Sequence, residues 1–222
     1  MTLQLLFTSP TLSPQSVAFS ANEHVYEPQD PAQYVYYIRS GEVRTFQVSD
    51  DGSYRLMEIL GPGEWFNAAA FSSEMVCGTR AVCATPTVVV RVSADKLLAE
   101  LTHNCVAAGI LLKQFADRLV KARADAAHLV FDDCNTRLIR TLLQLSQTVA
   151  ATPRADGVEL RITHLQLAQA VGAARETVSL ALTDLRKQNL LRTGRNKLYF
   201  DPQVLRDLQL VCKAPLVATT VN

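Results

Sequence analysis

The stretch ITHLQLAQAVGAARETVSLALTDLRKQNLL constrains this chain more than any other part of it. Thr163 has the side chain of a helix N-cap, and Leu165, Leu167, Ala168 and Val171 supply the apolar positions of a short helix. Gly172 permits a tight turn, because it takes backbone angles that other residues resist. A second helix runs from Arg175 to Lys187, with Val178, Ala181, Leu182 and Leu185 on its buried face. Helix, glycine turn, helix is a layout whose second member can enter the major groove of a duplex with its first side chains at the base edges. Arg175, Glu176, Ser179 and Leu180 form the expected base-reading edge. Arginine can bond guanine O6 and N7 together and glutamate can accept from cytosine N4, each good contact discriminating by roughly 1–3 kcal/mol.

The surroundings agree. RTGRNKLYF, directly after the second helix, reads as a two-stranded wing turning at 194–196. Thr163, Thr177, Arg192, Arg195 and Lys197 are the candidate phosphate contacts, and Ser179 can serve either role. The net charge of +1 hides an asymmetry: residues 1–134 carry −5 and residues 135–222 carry +6. The basic half is where an anionic polymer would bind.

Ahead of this module the chain reads as β. Segments 34–38, 43–48, 55–59 and 88–92 are rich in Val, Ile, Tyr, Phe and Thr, and turn residues such as Ser40-Gly41, Asp51-Gly52 and Gly61-Pro62-Gly63 separate them. Short strands at this spacing favour a barrel or jelly roll. Ser93 then caps a short helix, and a long helix follows to about residue 131. In it Leu112, Phe115, Leu119, Ala122, Ala126 and Leu129 recur at alternating steps of three and four, a seam for another helix or for the chain's own barrel. Roughly 26 residues at 1.5 Å each outrun a small barrel, which favours a twin helix and a homodimer. The expected plan is a β-roll sensor domain over 1–104, a dimerisation helix and hinge over 105–134, a winged helix-turn-helix over 135–213 and a tail over 214–222.

Several classes are excluded. A chain that is 48% hydrophobic and 19% charged can bury a core. No apolar run approaches the roughly 20 residues of a membrane span, the start lacks a basic signal-peptide region, and five scattered cysteines do not suit a secreted disulfide scaffold, so a cytoplasmic location is expected. An enzyme on a cupin-like roll would need His and Glu metal ligands on its strands, and residues 25–92 contain no histidine. No enzyme activity is expected.

The helix-turn-helix stretch, with YVYYIRSGEVRTF and GPGEWF in the front half, closely resembles the cyclic-AMP receptor protein/fumarate–nitrate reductase regulator (CRP/FNR) family from about residue 17 to 210. The resemblance implies an α+β chain with a cyclic-nucleotide-binding-like jelly roll, and a homodimeric transcription factor on an approximately palindromic DNA duplex. It also implies RNA polymerase as a partner and an effector that reorients the DNA-binding domains. Two departures lie in the reading helix. Leu180 stands where many relatives have a third base-reading arginine, so it can touch a thymine methyl but cannot bond guanine. Ala174 replaces a capping serine. These departures leave room for an alternative, a ligand-binding module with weakened or lost DNA binding.

The sensor departs further. Relatives that bind cyclic nucleotides carry a ribose-binding glutamate after the GxxF turn and an arginine-serine pair for the phosphate. Here the first segment is GEWFNAAAFSS, with Asn67, Ala68 and Ala69 in the glutamate region, and the phosphate positions fall near Cys77 and Gly78. Arg80 is close by but on the wrong strand phase. A buried cyclic phosphate would lack charge-assisted donors, which argues against cyclic AMP. An iron–sulfur centre would need an N-terminal cysteine cluster, and the first cysteine is Cys77; Asn67 and Ala69 replace haem ligands, and the four histidines lack metal-ligand spacing. No cofactor is expected. Cys77 and Cys83 read as small buried hydrophobes or as a redox pair. Arg118 on the long helix matches an arginine of the 2-oxoglutarate-sensing branch and is the candidate ligand for a small carboxylate, although that branch's other arginine falls at Cys77.

Overall fold

A computed structural model describes residues 3–213, and the expected tail over 214–222 lies outside the described residues. The chain divides into two units that meet at Val130 and Phe131.

The first unit begins with α1 (Leu3–Phe7) and a 3-10 turn at Pro10–Leu12. Eight strands follow: β1 (Gln15–Phe19), β2 (His24–Tyr26), β3 (Tyr34–Ser40), β4 (Val43–Val48), β5 (Tyr54–Leu60), β6 (Trp65–Phe66), β7 (Arg80–Cys83) and β8 (Thr87–Ser93). They form two antiparallel four-stranded sheets, ordered β1-β8-β3-β6 and β2-β7-β4-β5. The four strand segments read from the sequence all fall within β3, β4, β5 and β8, and the jelly-roll expectation holds. Gly41 makes the tight β3–β4 turn possible: its φ is +95°, and a Cβ there would stand 2.4 Å from the Thr87 hydroxyl oxygen. Trp65, Phe66 and Ile38 are fully buried, and Phe7 closes the outer face of β3 by stacking on Tyr37 at 5.3 Å.

After α2 (Ala94–His103) comes the long helix α3 (Cys105–Phe131). One face, with Ala107 and Leu111 buried, packs on its own roll. The expected seam needs one correction. Phe115 turns to that same roll, its ring 5.2 Å from Trp65 and 5.9 Å from Phe71. The physical reason is the helical period: Phe115 stands four residues past Leu111 and eight past Ala107, on the same row that faces the roll. Leu112, 71% exposed, and Leu119, 52% exposed, keep an outward apolar stripe, with Ala122, Ala126 and Val130 also exposed and Leu129 half-buried.

The second unit opens with α4 (Cys134–Leu145), capped by Asp133, whose carboxylate accepts from the Thr136 amide at 2.7 Å. Then come β9 (Ala151–Arg154), β10 (Gly157–Arg161), α5 (His164–Val171), α6 (Arg175–Lys187), β11 (Leu191–Gly194), β12 (Lys197–Phe200) and α7 (Pro202–Lys213). The sheet order is β11-β12-β10-β9. Ala-Thr-Pro-Arg has the composition of a turn, yet it forms β9; proline is tolerated there because β9 is an edge strand.

Candidate nucleic-acid interface and sensor site

Thr163 caps α5 reciprocally: its hydroxyl oxygen accepts from the Gln166 amide at 3.1 Å, and the Thr163 amide donates to the Gln166 side chain at 3.2 Å. The hydroxyl proton remains available to a phosphate oxygen. Gly172 ends α5 with φ +70°, its amide donating to the Ala168 carbonyl. Val178, Ala181, Leu182 and Leu185 of α6 are buried and lock its outer face outward. On that face Arg175, Glu176 and Thr177 are exposed, and Leu180 is 69% exposed. Ala174 offers no side-chain cap to α6. Glu176 sits in the first turn, where the helix dipole favours its negative charge.

Ser179 is placed differently from its three companions. It is half-buried, and its hydroxyl lies 3.2 Å from His164 Nδ1 on α5. His164, one of the four histidines without metal-ligand spacing, thus ties the two helices together. The available signal was its position in the first turn of α5, beside the reading helix.

The wing cations divide as well. Arg192 pairs with Asp156 at 2.5 Å and lies over the Tyr199 ring at 5.8 Å. Lys197 pairs with the buried Glu159 at 2.5 Å, and Arg154 bonds the same carboxylate. Lys197 first, then Arg154, holds the Glu159 carboxyl below its ordinary range. Arg195, at the wing turn beside Asn196, is exposed.

In the sensor the expected pocket residues separate. Asn67 takes φ +68° and is pinned by its side-chain amide donating to the Tyr34 carbonyl at 2.9 Å. Cys77 is 1% exposed and its thiol donates to Asn67 Oδ1 at 3.5 Å; burial pushes that thiol up. Cys83 is also a buried free thiol. Ala68 opens the 3-10 turn Ala68–Phe71, and Gly78 is exposed. Arg80 leaves the interior, bonding Glu27 at 2.6 Å and the Tyr54 hydroxyl at 2.7 Å. Arg118 joins none of these groups: its guanidinium lies 4.3 Å over the Trp65 ring and donates to the Trp65 carbonyl at 2.6 Å. The Trp65 indole N–H bonds Gln114 on the same helix. Among the described residues no three His, Cys, Asp or Glu side chains gather to hold a metal ion. No helix among them is long and apolar enough to cross a membrane.

Residues 16–104 match the cyclic nucleotide-binding domain, and residues 136–208 match the Crp-like helix-turn-helix domain. The CRP-like cAMP-activated global transcriptional regulator of Mycobacterium tuberculosis is 30% identical over 196 residues, 86% of each chain. The chain belongs to the CRP/FNR family. CRP/FNR proteins of this kind are DNA-binding transcription regulators, and this chain is one of them. Among solved structures, the c-di-GMP responsive global regulator CLP of Xanthomonas campestris superposes with a TM-score of 0.73 at 25% identity, covering 86% of this chain and 95% of that one. A CRP/FNR-family regulator of Thermus thermophilus gives 0.72 at 26% identity, covering 88% and 98%. Both halves of the chain therefore carry the CRP/FNR plan, the reading helix on one unit and the nucleotide-type roll on the other.

Proposed function

We propose that the protein acts as a homodimer that reads an approximately palindromic DNA duplex through α6, and that its roll does not take a cyclic nucleotide. The outward edge of Arg175, Glu176 and Leu180, on a helix anchored by its buried face, carries this reading. Arg175 is the guanine reader and Glu176 the cytosine reader, while Leu180 covers a thymine methyl, with Ser179 a contact positioned by His164. Thr163, Thr177 and Arg195 grip phosphates directly; Arg192 and Lys197 join after exchanging their carboxylate partners. The stripe of Leu112, Leu119, Ala122, Ala126 and Leu129 on α3 supports the pairing of two copies, with Phe115 bracing each helix on its own roll. The half-sites then lie about 34 Å apart, one helical turn. In this reading 1–104 is the sensor, 105–134 the dimer helix and hinge, and 135–213 the DNA-binding part, located in the cytoplasm with RNA polymerase as a partner.

The roll's case rests on Cys77 and Gly78, which stand where a cyclic phosphate needs charge-assisted donors. The M. tuberculosis relative is cAMP-activated, as its name states, yet the buried thiol here offers no positive charge. Random-sequence selection followed by mobility shift tests the DNA reading. The expected outcome is enrichment of a palindrome whose half-sites carry a G and a C at the Arg175 and Glu176 positions; no enrichment at low salt overturns it. A second reading, a ligand module with weakened DNA binding, draws on the paired wing cations Arg192 and Lys197 and on the uncapped Ala174. Under it, binding would lack sequence preference.

A further inference from the structure

The strand registers place four residues in one row across the β2-β7-β4-β5 sheet. Tyr26 stands opposite Ala81, Ala81 opposite Thr45, and Thr45 opposite Glu58. Directly opposed residues share a face, and this is the core face, since Tyr26, Ala81, Val43, Leu60 and Cys83 belong to the roll's buried cluster. Two polar groups in the row have no protein partner among the described residues. The Thr45 hydroxyl is buried, the residue 3% exposed, and it has no hydrogen-bond partner among the described residues. Glu58 is half-buried and makes no hydrogen bond or ion pair among the described residues. A buried hydroxyl without a partner costs about 1–3 kcal/mol, while the half-buried Glu58 carboxylate keeps access to solvent. A donor placed between the two would meet both.

The far end of the row is aromatic. The Tyr26 ring lies 5.9 Å from Tyr36 and 6.1 Å from Phe66, and the latter two stack at 5.1 Å. Burial pushes the Tyr36 phenol up to about 12 and Tyr26 above its ordinary value, so both stay neutral. Between the aromatic end and the carboxylate stands the small Ala81. At about 4.8 Å per strand the row spans about 14 Å. Arg91, which faces Tyr36 across β3–β8, is bonded to Gln15 at 2.9 Å and stacked on Tyr34 at 4.6 Å. Glu58 therefore sets the sign of the charge a ligand must carry.

We infer that the interior of the roll binds a small organic cation, an ammonium between Glu58 and Thr45 with an apolar or aromatic body over Ala81 toward Tyr26, Tyr36 and Phe66. A primary ammonium donates to the carboxylate and to the Thr45 hydroxyl oxygen together, and the electron-rich ring faces suit a cation and its flat body alike. This deepens the reading of the roll as a sensor that has given up the cyclic phosphate: the residues that remain select the opposite charge.

The probe is phenethylamine, against phenylacetate, which has a similar skeleton and the reverse charge, and cyclic AMP. Thermal unfolding and titration calorimetry on the full chain should show stabilisation by phenethylamine alone. Glu58→Gln should weaken that binding about tenfold or more and Thr45→Val about threefold. Ala81→Leu, which fills the row beside Thr45 and leaves Glu58 unchanged, should abolish it. No response to phenethylamine at about 10 mM overturns the proposal, as does equal response to phenylacetate, or unchanged binding in Glu58→Gln or, should that variant fail to fold, in Ala81→Leu. Palindrome selection without amine is independent of every one of these results and decides the DNA reading separately.

Discussion

The two units treat their functional side chains in opposite ways. In the winged unit, buried Val178, Ala181, Leu182 and Leu185 anchor α6 so that Arg175, Glu176 and Leu180 stand in solvent with their bonding capacity intact. In the roll, the residues at the nucleotide-type positions bond to one another: Asn67 serves Tyr34 and Cys77, and Arg118 serves Trp65. A group meant for a partner outside the chain is left unsatisfied by the chain itself, whereas a group absorbed into packing is not. By that criterion the reading helix is open for binding, the old phosphate corner is closed, and Thr45 and Glu58 are open groups on the roll's core face among the described residues.

The largest effect should come from the helix that both copies share. Leu119→Asp puts a charge into the outward stripe of α3 without touching Ala107 or Leu111, which hold that helix to its roll. Sedimentation should show a monomer. Loss of the second reading helix should weaken operator binding by about 10²–10⁴. A dimer that survives this change would place the interface elsewhere and remove the mechanical link between the two units' roles. Next in size is Arg175→Ala, expected to weaken binding to the selected site by roughly 1–3 kcal/mol and to relax preference at one base pair, with the fold unchanged. Mobility shifts on single-base variants of the site would show this. Equal loss on every sequence would instead make Arg175 a phosphate contact.

How much of this was legible in the chain itself follows the same division. Periodicity and caps located the helix pair closely, because Thr163, Gly172 and the apolar rows of α5 and α6 obey local rules. The strands were legible where turns flank them, and β9 was not, because Pro153 signals a loop locally while an edge position tolerates it in the sheet. What no local rule contains is pairing across the chain. The His164–Ser179 bond joins residues on two helices, the Glu159 pairs come from three strands, and the Tyr26-Ala81-Thr45-Glu58 row depends on strand registers. Arg118 was assigned by correspondence to the sensor pocket, and only the position of Trp65 shows what holds its guanidinium.

A smaller effect separates stability from recognition within the winged unit. Asp133 caps α4, and the Thr136 amide and hydroxyl hold its carboxyl below the ordinary carboxylate range. A group with a lowered folded pKa contributes stability above its unfolded value, and that contribution is lost as pH falls through the folded one. Asp133→Ala should therefore cost about 1 kcal/mol at neutral pH, a lowering of about 4–8 °C in the melting of that unit. The gap from wild type should close as the pH drops below the carboxylate range. DNA specificity should not change, since Asp133 is outside the reading edge; a changed base preference would mean that α4 sets the angle of α6.

The smallest expected change is a gain. Ala174→Ser supplies the missing cap at the start of α6, where Ala174 already has the extended backbone of an N-cap, φ −63° and ψ 144°. The serine oxygen can accept from an amide of the first turn, worth about 0.5–1 kcal/mol, and its proton stays free for a phosphate. Melting of the second unit should rise slightly, and operator and non-operator DNA should both bind a few-fold tighter, because a phosphate contact carries no base information. The ratio between the two should stay fixed. If the ratio rises instead, the first turn of α6 frays in the wild-type chain and costs Arg175 and Glu176 part of their aim, and the open edge is less pre-organised than its buried anchors suggest.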